Sequence, residues 1–327
     1  MLCILYVTAV GFLLGMAALL VERVMPAELP RRWLWGAVIP ISVVLPGVYR
    51  ARHTWSLTEG GSSMSPLHGA APIAAFDPGV WARIEALNPA INVLWQVASW
   101  GLLAWGLLTA LRIAHVLRSS NASRGQSRGL RVLDGVPVVV TDVAGPATVG
   151  VWRSRVLVPR WVLALPAMQR RYVLRHEDEH RRAHDARLLF VASLAIVLMP
   201  WNLAIWWQVR RLCLAVEMDC DKRVVAALGD ARAYGALLLS VAEAASRGPR
   251  LQPAFIGGVG TLERRLLTLL TPTPLRRGQR FLLPALAVLL LFVVVVMPHP
   301  LLHPDSHARV SVTPALATTT STRNPAR

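Results

Sequence analysis

Residues 176–180 read His176-Glu177-Asp178-Glu179-His180, and the interpretation of the whole chain turns on them. Two histidines four apart, with a glutamate after the first, make the pattern H-E-x-x-H. On an α-helix such positions share one face, one turn above the other. Two neutral imidazoles there can grip one Zn2+ ion, and Glu177 then stands beside it as a general base toward water. Upstream, Met168, Tyr172, Val173 and His176 recur at helical spacing behind Pro166. That predicts a helix opening at Pro166 and carrying the motif.

Catalytic zinc takes three protein ligands and keeps one position open. His176 and His180 supply two. A second predicted helix, 208–228, carries Glu217-Met218-Asp219-Cys220-Asp221. Glu217 is assigned as the third ligand. Asp221 is four residues on and shares its face, so it can accept the outer N–H of a ligand histidine and fix its tautomer. Asp219 points to another face and is expected in solvent. Two rivals stay open. His184 extends the series by four, but on a continuous helix it lies about 12 Å from His176 along the axis. Cys220 is a soft zinc ligand, three residues from Glu217. Asp185 is expected to anchor the motif helix to its neighbours, with support of a ligand histidine as its other reading. Glu179 faces away from the histidines, toward solvent or an ion pair with Arg175 or Arg182. Tyr234 is a candidate donor to an oxyanion.

The rest of the sequence places this chemistry at a membrane. Of 327 residues, 54% are hydrophobic, and the mean hydropathy is +0.46. Long apolar runs account for this, which excludes an ordinary soluble enzyme. Residues 1–117 read as an N-terminal membrane region with spans at about 2–21, 33–48 and 91–117. The second is short and interrupted by Pro40 and Pro46, and a polar extracytoplasmic linker occupies about 50–88. Trp95, Trp100 and Trp105 run along the third. A last span covers 281–297, and a short disordered extracytoplasmic tail, 298–327, follows with His299, His303 and His307. The first span has no basic segment before it and no cleavage pattern after it, so it reads as an uncleaved anchor.

The formal charge of +17 comes almost entirely from Arg. Arg118, Arg124, Arg128 and Arg131 follow the third span, and Arg276, Arg277 and Arg280 precede the last. Such clusters face the cytoplasm and meet anionic lipid, which puts residues 118–280 and the motif in the cytosol. No basic-aromatic reader motif points to direct nucleic-acid binding, and no phosphate-binding loop points to a nucleotide. Within this block, 136–141 and 149–158 read as strands, with Ala144-Gly145-Pro146 as the turn between them. The apolar stretch 186–207 is long enough to span. A full crossing would, however, put helix 208–228 on the wrong side, and Pro200-Trp201-Asn202 interrupts it. A hairpin dipping into the membrane is therefore expected. Cys3, Cys213 and Cys220 form no disulfide framework and are read as small buried hydrophobes.

The residues His176-Glu177-x-x-His180, Asp185 and Glu217-x-x-Cys220-Asp221, with the lead-in Val149-Gly150-Val151-Trp152 through Val158-Pro159, resemble the BlaR/MecR-type membrane metallopeptidases, number 56 in the metallopeptidase series. The resemblance covers roughly residues 1–297 and is sharpest over 136–225. It implies a mainly α-helical membrane protein with a gluzincin-like cytosolic zinc protease domain, in the bacterial inner membrane. Its ligands would be His176, His180 and Glu217. It also implies a signalling role in which a cytosolic repressor, of winged-helix type, is inactivated. The best-known members carry an extracellular penicillin-binding sensor after the last span. Here about thirty residues follow Met297, with no S-x-x-K or K-T-G, so direct β-lactam sensing is not expected. Two other readings remain: a membrane zinc peptidase of the quality-control or prenyl-protein-processing type, and a non-catalytic signalling scaffold with a structural metal. Oligomeric state is not readable.

Overall fold

The computed structural model describes residues 2–26, 28–59, 86–122, 131–141, 145–246, 259–271 and 277–297. Most of the expected linker, Ala144 of the expected turn, Arg124, Arg128, Arg276 and the tail with His299, His303 and His307 lie outside the described residues. The elements are α1 (Leu2–Val24), α2 (Arg31–Glu59), α3 (Asn88–Ala122), β1 (Arg131–Leu133), β2 (Val136–Thr141), β3 (Ala147–Val149), β4 (Arg155–Pro159), α4 (Arg160–Leu163), α5 (Ala167–Arg182), α6 (Asp185–Leu198), α7 (Leu203–Leu228), α8 (Ala231–Ser246), α9 (Val259–Leu270) and α10 (Arg277–Val296).

Among the described residues, three helices are long and apolar enough to cross a membrane: Cys3–Val24 in α1, Asn88–Arg112 in α3 and Gly278–Val296 in α10. They match three of the apolar runs read from the sequence. The fourth, 33–48, falls inside α2, which contains Pro40 and Pro46 and continues to Glu59, past the point where the linker was expected to begin. The stretch 186–207 is not one helix. It breaks at Met199–Asn202, where the Asn202 side chain accepts the Ala204 N–H at 3.1 Å and caps α7. α6 and α7 pack against each other across this break.

The strand expectation needs one correction. Residues 149–158 do not form a single strand. Gly150, at φ +107°, turns the chain, and a Cβ there would sit 2.6 Å from the Arg153 carbonyl oxygen, so only glycine fits. The result is two short antiparallel strands, β3 and β4, in a four-stranded sheet of order β1-β2-β4-β3. β2 runs parallel to β4, with Val138 opposite Val156. Residues 145 and 146 therefore belong to a connection from β2 to β3, which do not pair. The short β3 is left on an edge of the sheet.

Two apolar cores meet on α7. The first packs Val138, Val156 and Val158 of the sheet against Tyr172 and Leu174 of α5, Cys220 and Val224 of α7, and Tyr234 and Leu237 of α8. The second packs Trp35 and Ile39 of α2, Ala192 and Ala195 of α6, and Ile205, Leu212 and Val216 of α7. Gly15 of α1 lets Trp207 lie flat on the helix backbone, since any Cβ there would collide with its ring. The motif helix α5 and the 217–221 segment sit where the two cores join.

Candidate metal centre

Helix α5 presents the two histidines as its spacing dictates. The Nε2 atoms of His176 and His180 are 3.2 Å apart. Glu217, reaching from α7, puts Oε2 3.6 Å from His176 Nε2 and Oε1 3.6 Å from His180 Nε2. Four-coordinate zinc with bonds near 2.0–2.1 Å separates its ligand atoms by about 3.4 Å. These spacings are close to that value, with a different Glu217 oxygen nearest each imidazole. About a third of the Glu217 side chain, 32%, reaches solvent, so the cluster is open on that side.

Cys220 is also close. His176, His180 and Cys220 each bring one donor atom within 4.8 Å of the others. The Cys220 Sγ lies 3.3 Å from His176 Nδ1, and it donates to the His176 carbonyl oxygen. Nδ1 is the nitrogen already facing Tyr234, whereas Glu217 faces both Nε2 atoms. By donor geometry the carboxylate can share an ion with both Nε2 atoms, while the thiol is buried in the apolar core, as expected, with His176 beside it.

Each histidine is held from behind. His180 Nδ1 lies 2.8 Å from Asp185 Oδ2. A carboxylate only accepts, so Nδ1 carries the proton and Nε2 is free to donate its lone pair. His176 Nδ1 lies 2.9 Å from the Tyr234 hydroxyl, which donates to Asp221 Oδ1 at 2.8 Å. Asp221 itself is 3.5 Å from that nitrogen. The expected direct support from Asp221 is thus relayed through a phenol. Tyr234 is buried behind the ring rather than on the open side, so it is not placed to stabilise an oxyanion. Arg265 of α9 grips Asp221 with two bonds of 2.7 Å and reaches Glu217 Oε2 at 2.9 Å.

The electrostatics of the cluster favour positive charge. Burial opposes protonation of His176, but Cys220 and Glu217 outweigh it and raise the imidazole to about 10. Burial likewise works against charge on His180, and Cys220, Asp185 and Glu217 raise it well above the usual histidine value. Burial opposes ionisation of Glu217, yet Arg265 and the two imidazoles hold it well below the usual carboxylate range. Burial and then Asp221 push the Tyr234 phenol far up, so it stays a neutral donor. A divalent ion would meet the same negative surroundings in place of protons.

Glu177 is buried, and its Oε2 lies 3.1 Å from the Thr148 hydroxyl. That hydroxyl also sits 2.6 Å from the Glu177 carbonyl oxygen. Edge strand β3 is thereby fastened to the motif helix beside the histidines. Other expectations fall differently. Asp219 is buried, not solvated: its Oδ2 accepts the Arg32 N–H at 3.0 Å and caps the first turn of α2. Glu179 makes the expected ion pair with Arg175, at 2.6 Å, and is buried with a second partner, Arg223, at 2.9 Å, while Arg182 pairs with Asp178. Helix α5 ends at Arg182, and His184 takes a left-handed turn (φ +56°) that carries its ring to Arg182 O, away from the cluster. Thr148, Arg32 and Arg265 were not singled out in the sequence. No local pattern marks them, since each meets the site from an element distant in the chain.

The family profile described as BlaR1 peptidase M56 matches residues 6–269. The chain belongs to the M56 peptidase family. No curated protein matches it. The M56 match takes in every residue of the cluster, from Arg32 to Arg265. As an M56 peptidase the chain is a membrane-associated metallopeptidase, and the family implies a metal cofactor, typically zinc.

Proposed function

We propose that this M56 peptidase is a zinc endopeptidase of gluzincin type, anchored in the bacterial inner membrane with its protease domain in the cytosol. The observation that carries the reading is the convergence of His176 Nε2 and His180 Nε2, 3.2 Å apart, on the Glu217 carboxylate, each 3.6 Å from one of its oxygens. These three residues would hold the ion. Bound zinc would polarise the scissile carbonyl and make water a better acid. Glu177 takes the proton of the attacking water and passes it to the leaving amine. Thr148 anchors the motif helix at Glu177, its hydroxyl 2.6 Å from the Glu177 carbonyl oxygen and 3.1 Å from the carboxylate. A substrate peptide in extended form adds to the free edge of β3, beside Glu177. Asp185 and the Tyr234–Asp221 relay keep both Nδ1 atoms protonated, so both Nε2 atoms face the ion.

The substrate is a cytosolic protein such as a winged-helix transcriptional repressor, and cleavage transmits a signal. The Arg residues flanking α3 and α10 support a cytosolic protease domain, and the break between α6 and α7 supports a hairpin that enters the membrane without crossing it. A second reading has its own observation. Cys220 lies near both imidazoles, and a His176–His180–Cys220 site would suit a structural metal in a non-catalytic scaffold.

The two readings separate by experiment on the full chain in detergent. One zinc per chain is expected, lost in His176→Ala and Glu217→Gln and kept in Cys220→Ser. Glu177→Gln should keep zinc and lose self-cleavage or repressor cleavage. Wild-type cleavage rates in Glu177→Gln would remove the endopeptidase reading.

A further inference from the structure

Arg32 stands where the helices of the second core touch the metal centre. It lies in the first turn of α2, eight residues beyond the last residue of α1. Its backbone N–H is held by Asp219 at 3.0 Å, a carboxylate at a helix N-terminus where the exposed N–H groups favour one. Its guanidinium Nη1 donates to Asp185 Oδ1 at 2.9 Å. The other oxygen of Asp185 holds His180 Nδ1 at 2.8 Å. Asp185 is buried, with 3% of its side chain exposed, and the Arg32 side chain is 12% exposed. Arg223 is a further cation near Asp185, but it stands at 3.8 Å and spends its closer contact on Glu179.

The end of α1 is tied to the same place. Glu22 is buried and accepts from Trp35 Nε1 of α2 at 3.1 Å and from Arg211 of α7 at 2.6 Å. The α1–α2 turn is therefore clamped to α7 through Glu22 and Asp219, and to α6 through Arg32. We propose that Arg32 is a positioning residue that couples the α1–α2 turn to the orientation of the His180 imidazole through Asp185. This deepens the zinc reading and rests on it. Charge-assisted bonds between buried groups are short and directional. A shift of the α1–α2 turn thus moves the carboxylate that aims His180, and the metal centre responds to what α1 meets in the membrane.

The test is a double-mutant cycle in zinc affinity, measured by chelator competition on the full chain in detergent. Partners behind a metal ligand are worth roughly 10–100-fold in affinity. Asp185→Asn is expected in that range and Arg32→Ala near its low end, about tenfold. Arg32→Lys should recover most of the loss, because a single nitrogen reaches Asp185. In the Asp185→Asn background, Arg32→Ala should cost less than about twofold, because the path is already cut. The visible bands of the cobalt-loaded protein should shift in Arg32→Ala as His180 tilts. Zinc affinity within twofold of wild type in Arg32→Ala, or an equal loss in both backgrounds, overturns the coupling. If Arg32→Ala does not fold, Arg32→Gln runs the same cycle with the same two outcomes. Zinc binding that survives His180→Ala unchanged would overturn the ligand reading beneath it, and the coupling with it.

Discussion

His176 and His180 sit one turn apart on one helix, yet the structure supports them in different ways. His180 leans on a carboxylate directly, at 2.8 Å, and that carboxylate is tied to Arg32 and the α1–α2 turn. His176 leans on the Tyr234 phenol, then on Asp221, then on Arg265. One arm ends at the turn between α2 and α1, a helix long and apolar enough to cross a membrane. The other runs through Tyr234 of α8 and Asp221 of α7 to Arg265 of α9. The difference teaches that a symmetric ligand pair need not have symmetric support. The His180 arm is short and charged, so it should govern metal affinity. Both arms bury an Asp–Arg pair, but Arg265 grips Asp221 with two bonds and Glu217 with a third, whereas the Arg32 guanidinium gives Asp185 one, so the His176 arm should weigh more on whether the fold holds together.

The largest effect ignores the contrast and sets its scale. Glu177→Gln should lower peptide cleavage by about 10²–10⁴-fold with zinc retained, as read by turnover and metal content. Next comes the test of the His176 arm. Arg265→Ala leaves Asp221, 1% exposed, without its cation and should destabilise the protein by about 3 kcal/mol in denaturant melts. A loss under about 1 kcal/mol would break the assignment of stability to that arm. Asp185→Asn should weaken zinc by roughly 10–100-fold, whereas Tyr234→Phe removes a neutral partner and should cost less, about tenfold at most. A larger zinc loss in Tyr234→Phe than in Asp185→Asn would invert the comparison.

The pH dependence sharpens the same point. His176 is raised from 6.5 to about 10, so its protonated form stabilises chelator-treated protein fully below about pH 6.5. That contribution is lost as pH rises through about 10. Zinc displaces the same protons, so the gain in Tm on adding zinc should grow across this window. A flat gain from pH 6.5 to 10 would count against His176 as a ligand. The smallest effect belongs to the strand beside both arms. Thr148→Val removes one hydrogen bond to Glu177, about 1 kcal/mol, and should slow cleavage roughly fivefold without changing zinc content.

The parts legible in the sequence were those governed by local repeat. Helical spacing put His176 and His180 on one face, and Glu217 and Asp221 on one turn of a later helix, and the structure brings all four together. Apolar length marked α1, α3 and α10. Asp185 was read chiefly as an anchor, and it serves as one toward Arg32 while also holding His180. The expectations that failed concern polar residues whose partners come from far along the chain. Asp219 looks solvent-facing within its own helix, but α2 arrives 187 positions away and buries it. Glu179 keeps the ion pair with Arg175 that was expected of it and gains a second partner, Arg223, from 44 positions away. The Tyr234 hydroxyl suits an oxyanion by chemistry, and only the packing of α8 on α5 puts it behind His176. The strand at 149–158 failed for a local reason, since Gly150 turns the chain where the alternation of Val151, Val156 and Val158 suggested continuity.

Helix α7 has a practical corollary. Its first half is upholstered by α2 and α6, and its second half by the sheet and α8. A recombinant fragment trimmed to residues 118–280 would strip Trp35 and Ile39 from Ile205, Leu212 and Val216, and would leave an oily flank on the very rod that bears Glu217. Biochemists seeking a soluble catalytic piece should find it sticky and poor in zinc, and this peptidase is best handled whole, in detergent or nanodiscs.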